Sequence, residues 1–297
     1  MVKNRAGVGR FVSFAALSCA ALLLPAAGVQ AQQFIYGNSA SSPSSQFLYK
    51  IDKTTGAVVK SCQMNKGNGR GMVVVNNIAY YTTASNNNVF KADMGTCADM
   101  GVAFTVAGAT SLSTIAFDGT NFWVGDYSGT NQAFYYSPTG TLLATVHLTS
   151  CTGFCDGLEW FNGKLISNEG DASNPGHYDI YALTGGAPTT ANFINTTFSA
   201  TGIAFDGTNF YVSDIFNQKL QVYNGTTGAF INTITITGMN ASANVLEDLS
   251  ADYAIVIGGG GGPVDLTVPT MSEWALILMS VLLGLLGLGM VARRARR

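Results

Sequence analysis

The chain has 297 residues, with 15 Lys plus Arg against 17 Asp plus Glu and only 11% charged residues overall. Seven of the basic residues, Lys3, Arg5, Arg10, Arg293, Arg294, Arg296 and Arg297, lie in the two terminal segments, which leaves 8 basic and 16 acidic residues between them, a net of −8. No Lys/Arg cluster exists in that stretch, which argues against a sequence-independent grip on phosphate backbones, so no nucleic-acid partner is expected.

At the N-terminus, Lys3, Arg5 and Arg10 precede an apolar run from Phe11 to Leu24, a break at Pro25 and small residues before Gln32. This is the pattern of a secretory signal peptide over 1–31, cut after Ala31, and the run is too short for a membrane anchor. Cys19 lies within the run, but Ala16-Leu17-Ser18 fits a lipoprotein cleavage box poorly, so no lipid anchor is expected.

Four cysteines follow: Cys62, Cys97, Cys151 and Cys155. An even number in an oxidising compartment favours disulfides. Three pairings are open, and Cys62 with Cys97 plus Cys151 with Cys155 is preferred, because the Gly-containing turn of CTGFC can bring its two sulfurs together. A metal site at CTGFC is less favoured, since no second Cys/His pair lies nearby and His147 and His177 stand alone. Three intervening residues, rather than two, also make it a poor redox motif.

From residue 34 the chain repeats. TIAFDGTNFWVGD at 114–126 returns as GIAFDGTNFYVSD at 202–214, with 10 of 13 positions identical at an offset of 88. Half that offset gives a unit of 44 residues, and weaker copies stand one unit away at 70–83, 157–169 and 246–258. Each copy reads as strand, tight turn, strand, with Asp118-Gly119, Asn162-Gly163 and Asp206-Gly207 offering the positive-φ residues that short hairpins demand. A third strand, a Thr-Gly turn and a fourth strand follow in FLYKIDKTTGAVVKSC, AFYYSPTGTLLATVHL and KLQVYNGTTGAFINTITI.

Four short strands per unit of about 40–45 residues predict an all-β fold, a β-propeller of about five four-stranded blades over 32–257, with residues 254–257 leaving room for part of a sixth. Residues 34–62 carry only second, third and fourth strands, whereas 246–252 carries a first strand alone, so the two ends complete one blade and close the ring. A β-solenoid or two-sheet sandwich is the alternative. The pattern resembles the NHL and related propeller repeats of exported bacterial proteins, which implies the fold without identifying a ligand.

In such a ring, Asp126, Glu169 and Asp214 at the ends of second strands and Asp156, Glu247 and Asp248 at the starts of first strands would converge on the channel mouth. Oxygen ligands from several loops would suit Ca²⁺, and an extracellular propeller hydrolase or lactonase would use such a site. Recurring carboxylates more often bond backbone amides in turns, most plainly Asp118 and Asp206, and no site residue is assigned to catalysis, cofactor or metal. His147 belongs to a fourth strand; His177 is expected in a loop with acids nearby. No Gly-x-Ser-x-Gly elbow, Walker loop, His-Glu-x-x-His or dinucleotide fingerprint is present. The expected role is therefore a non-enzymatic binding or structural module, with a polysaccharide or surface protein as its ligand.

Five glycines open a flexible linker over 258–267. From Trp274 to Ala292 there are 19 residues without a charge, which as a helix would span ~28 Å, close to the ~30 Å hydrocarbon thickness of a bilayer. That predicts one membrane crossing, with Trp274 at the outer interface and Arg293, Arg294, Arg296 and Arg297 as the cytoplasmic stop. Val268-Pro269-Thr270-Met271-Ser272-Glu273-Trp274, the apolar run and the Arg-rich end together resemble the IPTL-CTERM sorting domain. Its usual pattern is Ile-Pro-Thr-Leu, two residues, Trp, Gly; this chain departs from it at Val268, Met271 and Ala275. The resemblance covers only 268–297. It implies a Gram-negative bacterial protein exported across the inner membrane, anchored transiently, cut by an exosortase-type enzyme and delivered to the cell surface or extracellular matrix. Pro269 would keep the recognised segment extended just outside the membrane.

Overall fold

A computed structural model describes residues 32–40, 46–151, 155–168 and 175–254. Its strands are β1 (Phe34–Ser39), β2 (Gln46–Asp52), β3 (Val58–Met64), β4 (Gly69–Val75), β5 (Ile78–Thr83), β6 (Asn88–Asp93), β7 (Asp99–Thr105), β8 (Leu112–Phe117), β9 (Phe122–Asp126), β10 (Gln132–Tyr136), β11 (Leu142–His147), β12 (Leu158–Phe161), β13 (Lys164–Asn168), β14 (Pro175–Tyr181), β15 (Thr190–Phe205), β16 (Asn209–Asp214), β17 (Lys219–Asn224), β18 (Phe230–Thr235) and β19 (Leu246–Ser250).

These strands form antiparallel sheets in the orders β19-β1-β2-β3, β4-β5-β6-β7, β8-β9-β10-β11 and β12 through β18. The last holds two blades joined by the 16-residue β15. Its first half pairs with β14, as in Tyr178↔Ile194, and its second half with β16, as in Phe205↔Phe210. It is thus the rim strand of the fourth blade and the axial strand of the fifth.

The axial strands close a ring: β19 packs against β4, β4 against β8, β8 against β12, β12 against β15 and β15 against β19. Five blades complete that ring among the described residues, leaving no gap for a sixth. The seam is the expected one, with C-terminal β19 pairing N-terminal β1 through Tyr36↔Ser250 and Asn38↔Asp248.

Burial follows radius. Every residue of axial β8 (LSTIAF) and β19 (LEDLS) is buried, because neighbouring blades cover both faces. Rim strands β11 and β18 are exposed at nearly every position. Apolar side chains fill the spaces between blades: Phe122 meets Tyr80 at 4.6 Å and Phe117 at 5.0 Å, and Phe210 meets Phe161 and Phe205 at 4.8 Å each. Each such ring buried on folding is worth about 1.5–3 kcal/mol.

The hairpins differ in detail from expectation. Asn162 and Gly163 both take positive φ, as do Asn76 and Asn77. Of the pairs Asp118-Gly119 and Asp206-Gly207, only the glycines do. The aspartates instead cap their turns: Asp118 Oδ1 accepts the amides of Thr120 and Asn121, and Asp206 Oδ1 those of Thr208 and Asn209. The disulfides are Cys62–Cys97 and Cys151–Cys155, the preferred pairing.

Candidate functional site at the ring axis

The acids at the starts of first strands do gather. Near the start of each first strand for which it is recorded, the pairing shifts register by a bulge: between Gly69 and Met72, Leu112 and Ile115, and Ala200 and Ile203. Bulges re-aim side chains, and here a hydroxyl on the neighbouring second strand satisfies the displaced backbone. Thr82 Oγ1 accepts the amide of Gly71 at 2.7 Å, and Ser213 Oγ accepts that of Gly202 at 2.8 Å.

Asp248 sits wholly buried on β19. Its Oδ2 accepts the Met72 amide at 2.9 Å and the Thr114 hydroxyl at 3.1 Å, and Thr114 Oγ1 in turn accepts the Leu158 amide at 3.0 Å. One chain of hydrogen bonds therefore spans the second, third, fourth and closing blades. Burial raises the Asp248 carboxyl well above its usual range; the bonds to Met72, Leu249 and Thr114 oppose that, and the nearby Asp156 adds to it. Burial thus disfavours the charged form of this carboxyl.

Asp156, two residues before β12, is also buried, and burial pushes its carboxyl up to about 6 while Arg70 pulls it down. Its own amide and that of Gly157 donate to Asn168 Oδ1 at 3.1 and 2.8 Å. Glu247 is paired with the Arg70 guanidinium, whose Nη2 donates to Tyr127 Oη at 3.0 Å and whose carbon lies 4.5 Å from the Tyr127 ring centre.

The acids at the ends of second strands do not join them. Asp126 holds its own turn through Ser128 and Thr130, and Asp214 Oδ1 accepts from Asn217 Nδ2 at 2.8 Å. Glu169 lies outside the described residues; the register equivalent of Asp126 on β13 is Asn168, whose Nδ2 donates to the Ala200 carbonyl at 2.9 Å. Among the described residues, no three His, Cys, Asp or Glu side chains stand close enough to hold a metal ion. His147 lies on rim strand β11, 3.4 Å from Gln132 Nε2. His177 is not in a loop: it belongs to β14, and its Nε2 is 3.6 Å from Asp179 Oδ2.

Two axial acids escaped notice in the sequence. Glu159 on β12 is fully buried; Oε2 accepts the Phe205 amide at 3.1 Å and the Tyr253 hydroxyl, and Oε1 accepts the Trp160 amide at 2.6 Å. Burial pushes its carboxyl up to about 8 against those three bonds. The signal was available, because LEWF places an acid where the better copies carry Ile115 and Ile203. Asp252 accepts the Asn76 and Asn77 amides at 3.0 Å each.

The axis is thus plugged by acids whose oxygens are mostly committed to the ring's own amides and hydroxyls. That arrangement locks neighbouring blades together.

The sorting-motif residues Val268, Pro269, Thr270, Met271, Glu273 and Trp274, the Arg293, Arg294, Arg296 and Arg297 stop, and the signal peptide, linker and membrane crossing all lie outside the described residues. Among the described residues no helix is long and apolar enough to cross a membrane.

Comparison with known proteins identifies the IPTL-CTERM motif at residues 268–297. The chain therefore carries a C-terminal sorting signal of exported bacterial proteins. No curated protein matches the chain in sequence. Among solved structures, a chain of a nidogen/laminin complex is similar with a TM-score of 0.52 at 10% identity, covering 74% of this chain and 99% of that one. Glutaminyl cyclase from Myxococcus xanthus is similar with a TM-score of 0.47 at 12% identity, covering 71% of this chain and 85% of that one. Both are β-propeller proteins. The first likeness bears out the propeller fold, and the fold alone decides no function.

Proposed function

We propose that this protein is a surface or extracellular-matrix module of a Gram-negative bacterium: a five-bladed ring that binds or scaffolds rather than catalyses, delivered and then released by processing of its C-terminal signal. The observation that carries the reading is the IPTL-CTERM motif at 268–297. A single apolar crossing followed by Arg293, Arg294, Arg296 and Arg297 leaves the ring on the outer side of the inner membrane. An exosortase-type enzyme would cut near the motif that holds Pro269. The non-enzymatic part of the reading is supported by how the carboxylates are used: Asp248 and Glu159 accept amides of neighbouring blades, Glu247 pairs with Arg70, and Asp126 and Asp214 hold their own turns.

The test is fractionation of the native host followed by intact-mass measurement of the mature protein. Loss of 1–31 and of the residues C-terminal to the motif, with the body outside the inner membrane, is the expected result. A cytosolic species retaining both Met1 and Arg297 would overturn it.

A further inference from the structure

A cavity of about 440 Å³ opens between the fourth and fifth blades, lined by Asn195, Thr197, Gln221, Tyr223, Phe230 and Thr233 together with Phe198. Its origin can be read from the repeat. Tyr136 faces Phe122 across the β9–β10 pair, and Tyr223 faces Phe210 across the β16–β17 pair, so the two tyrosines hold the same position in successive good copies. Beside Tyr136 the chain leaves β7 at Thr105 and loops through 106–111 before β8, and the Ala107 amide donates to Tyr136 Oη at 2.8 Å. Between the fourth and fifth blades there is no such loop, because β15 runs unbroken from Thr190 to Phe205. The space that the loop fills beside Tyr136 stays open beside Tyr223.

The lining sets the chemistry of an occupant. No lining residue is charged, so the occupant is neutral. Gln221 is only 9% exposed. Its Oε1 accepts the Thr233 hydroxyl at 2.5 Å, which leaves its amide NH₂ to donate at the cavity wall. A side-chain amide placed there can bond an acceptor on whatever fills the cavity. Asn195 donates Nδ2 to the Asn192 carbonyl at 3.0 Å, which leaves its Oδ1 to accept. Phe230 is 57% exposed and stands edge-on to Tyr223 with ring centres 5.7 Å apart, presenting an open aromatic face.

The occupant must therefore be uncharged, offer closely spaced donors and acceptors, and carry a flat apolar face for Phe230. Pyranose rings meet all three conditions, with hydroxyls around the edge and C–H groups on the face. An added peptide strand would instead use the backbone edge of β18, whereas the polar groups here belong to side chains lining the cavity. The volume falls within the ~300–1,000 Å³ of small-molecule sites.

We propose that this cleft binds a neutral saccharide, with Phe230 as its stacking face and Gln221 and Asn195 as its hydrogen-bonding pair. This rests on the reading of the ring as a binding module. It is independent of how the protein is sorted, so fractionation can fail while saccharide binding holds, and the reverse.

The test uses the full chain in a detergent without sugar headgroups, titrated calorimetrically with cellohexaose, xylohexaose, maltohexaose and tri-galacturonate. Electrophoresis through gels containing hydroxyethylcellulose or dextran reports binding to polymers. At least one neutral saccharide is expected to bind, as a polymer only if the cleft reads an internal stretch of chain, and as a hexamer too if it reads a short unit. Phe230→Ala and Gln221→Leu should each weaken that binding about tenfold or more with little change in melting temperature. Phe216→Ala, which removes another exposed ring (62% exposed) outside the cavity, should not. No binding of any neutral saccharide, undiminished binding by both cleft variants, preference for tri-galacturonate, or capture of an extended peptide at the cleft in place of sugar would each overturn the assignment.

Discussion

Asp248 Oδ2 accepts the backbone amide of Met72 at 2.9 Å across 176 residues of sequence. The contact is one rung of a ladder: Ser250 Oγ accepts the Val74 amide at 2.8 Å, and Asp252 Oδ1 the Asn76 amide at 3.0 Å. Alternate side chains of the last axial stretch thus satisfy alternate amides of the next blade. Between these two axial strands the described residues show a single backbone bridge, the parallel Val74↔Asp252. Side chains supply the missing acceptors, without which buried amides would go unsatisfied.

Burial disfavours the charged form of Asp248, and Asp248→Asn keeps an acceptor for Met72 and Thr114. It should cost about 1 kcal/mol. Asp248→Ala strands three buried donors, the Met72 and Leu249 amides and the Thr114 hydroxyl, at ~1–3 kcal/mol each, and should cost at least about 3 kcal/mol. Urea unfolding monitored by tryptophan fluorescence measures both. Equal losses for the two variants would show that the ladder is not what Asp248 supplies.

Much of this was legible in the sequence, for identifiable reasons. The 114–126 and 202–214 copies carry hairpin turns within ten residues, and complementary truncation at Phe34 and Leu246 dictated how the ring closes. Contacts distant in sequence were not legible. Arg70 meets Glu247 across 177 residues, and nothing near either residue announces the other. The unbroken run of β15 from Thr190 to Phe205 was not legible either, because the repeat marks only a first strand beginning at Gly202. The cleft beside Tyr223 is the absence of a loop, which no motif encodes.

The pH dependence of stability should run opposite to the usual acid denaturation over one window. Glu159 is pushed up to about 8 and Asp156 to about 6, both chiefly by burial. In the unfolded chain each titrates near 4. As pH rises past that value the unfolded state sheds protons that the folded state keeps, so the stability these groups contribute is complete below about pH 4 and is lost by about pH 8. Asp52 and Asp93, lowered by the turn amides of Thr55 and Thr96, act only at more acid pH. The melting temperature should therefore fall by several degrees between pH 5 and 8, and Glu159→Gln should make that slope shallower, the remainder coming from Asp156, Asp248 and Asp252, which burial also raises. Identical slopes in the variant and the parent would contradict the assignment of the proton to Glu159.

The two disulfides should differ in worth. Cys62–Cys97 spans 35 residues and staples β3 of the first blade to the turn after β6 in the second, whereas Cys151–Cys155 spans 4. On the loop-entropy account the longer closure is worth about 3–4 kcal/mol and the shorter about 2. Replacing Cys62 and Cys97 together by Ala should lower the denaturant midpoint more than replacing Cys151 and Cys155. The reverse order would mean that CTGFC anchors the third-to-fourth blade connection by more than its loop length.

The packing of axial strands yields the sharpest contrast between two glycines. A Cβ on Gly202 would lie 2.4 Å from Asp248 Cα and 2.7 Å from Leu249 N, both backbone atoms of a strand pinned by the Met72 and Val74 rungs. Gly163 has φ +74 with nothing within 4 Å of the added carbon, so Ala there meets only conformational strain, about 1–2 kcal/mol. Gly202→Ala must push two axial strands apart, and opening that contact strains the rungs that Asp248 and Ser250 make with Met72 and Val74. It should cost at least about 3 kcal/mol, above the usual range for overpacking because the neighbour is backbone rather than a side chain. Chemical denaturation of the two variants side by side measures the difference. If Gly202→Ala proves as mild as Gly163→Ala, the axial strands are not clamped as tightly as the hydrogen bonds that Met72 and Thr114 donate to Asp248 require.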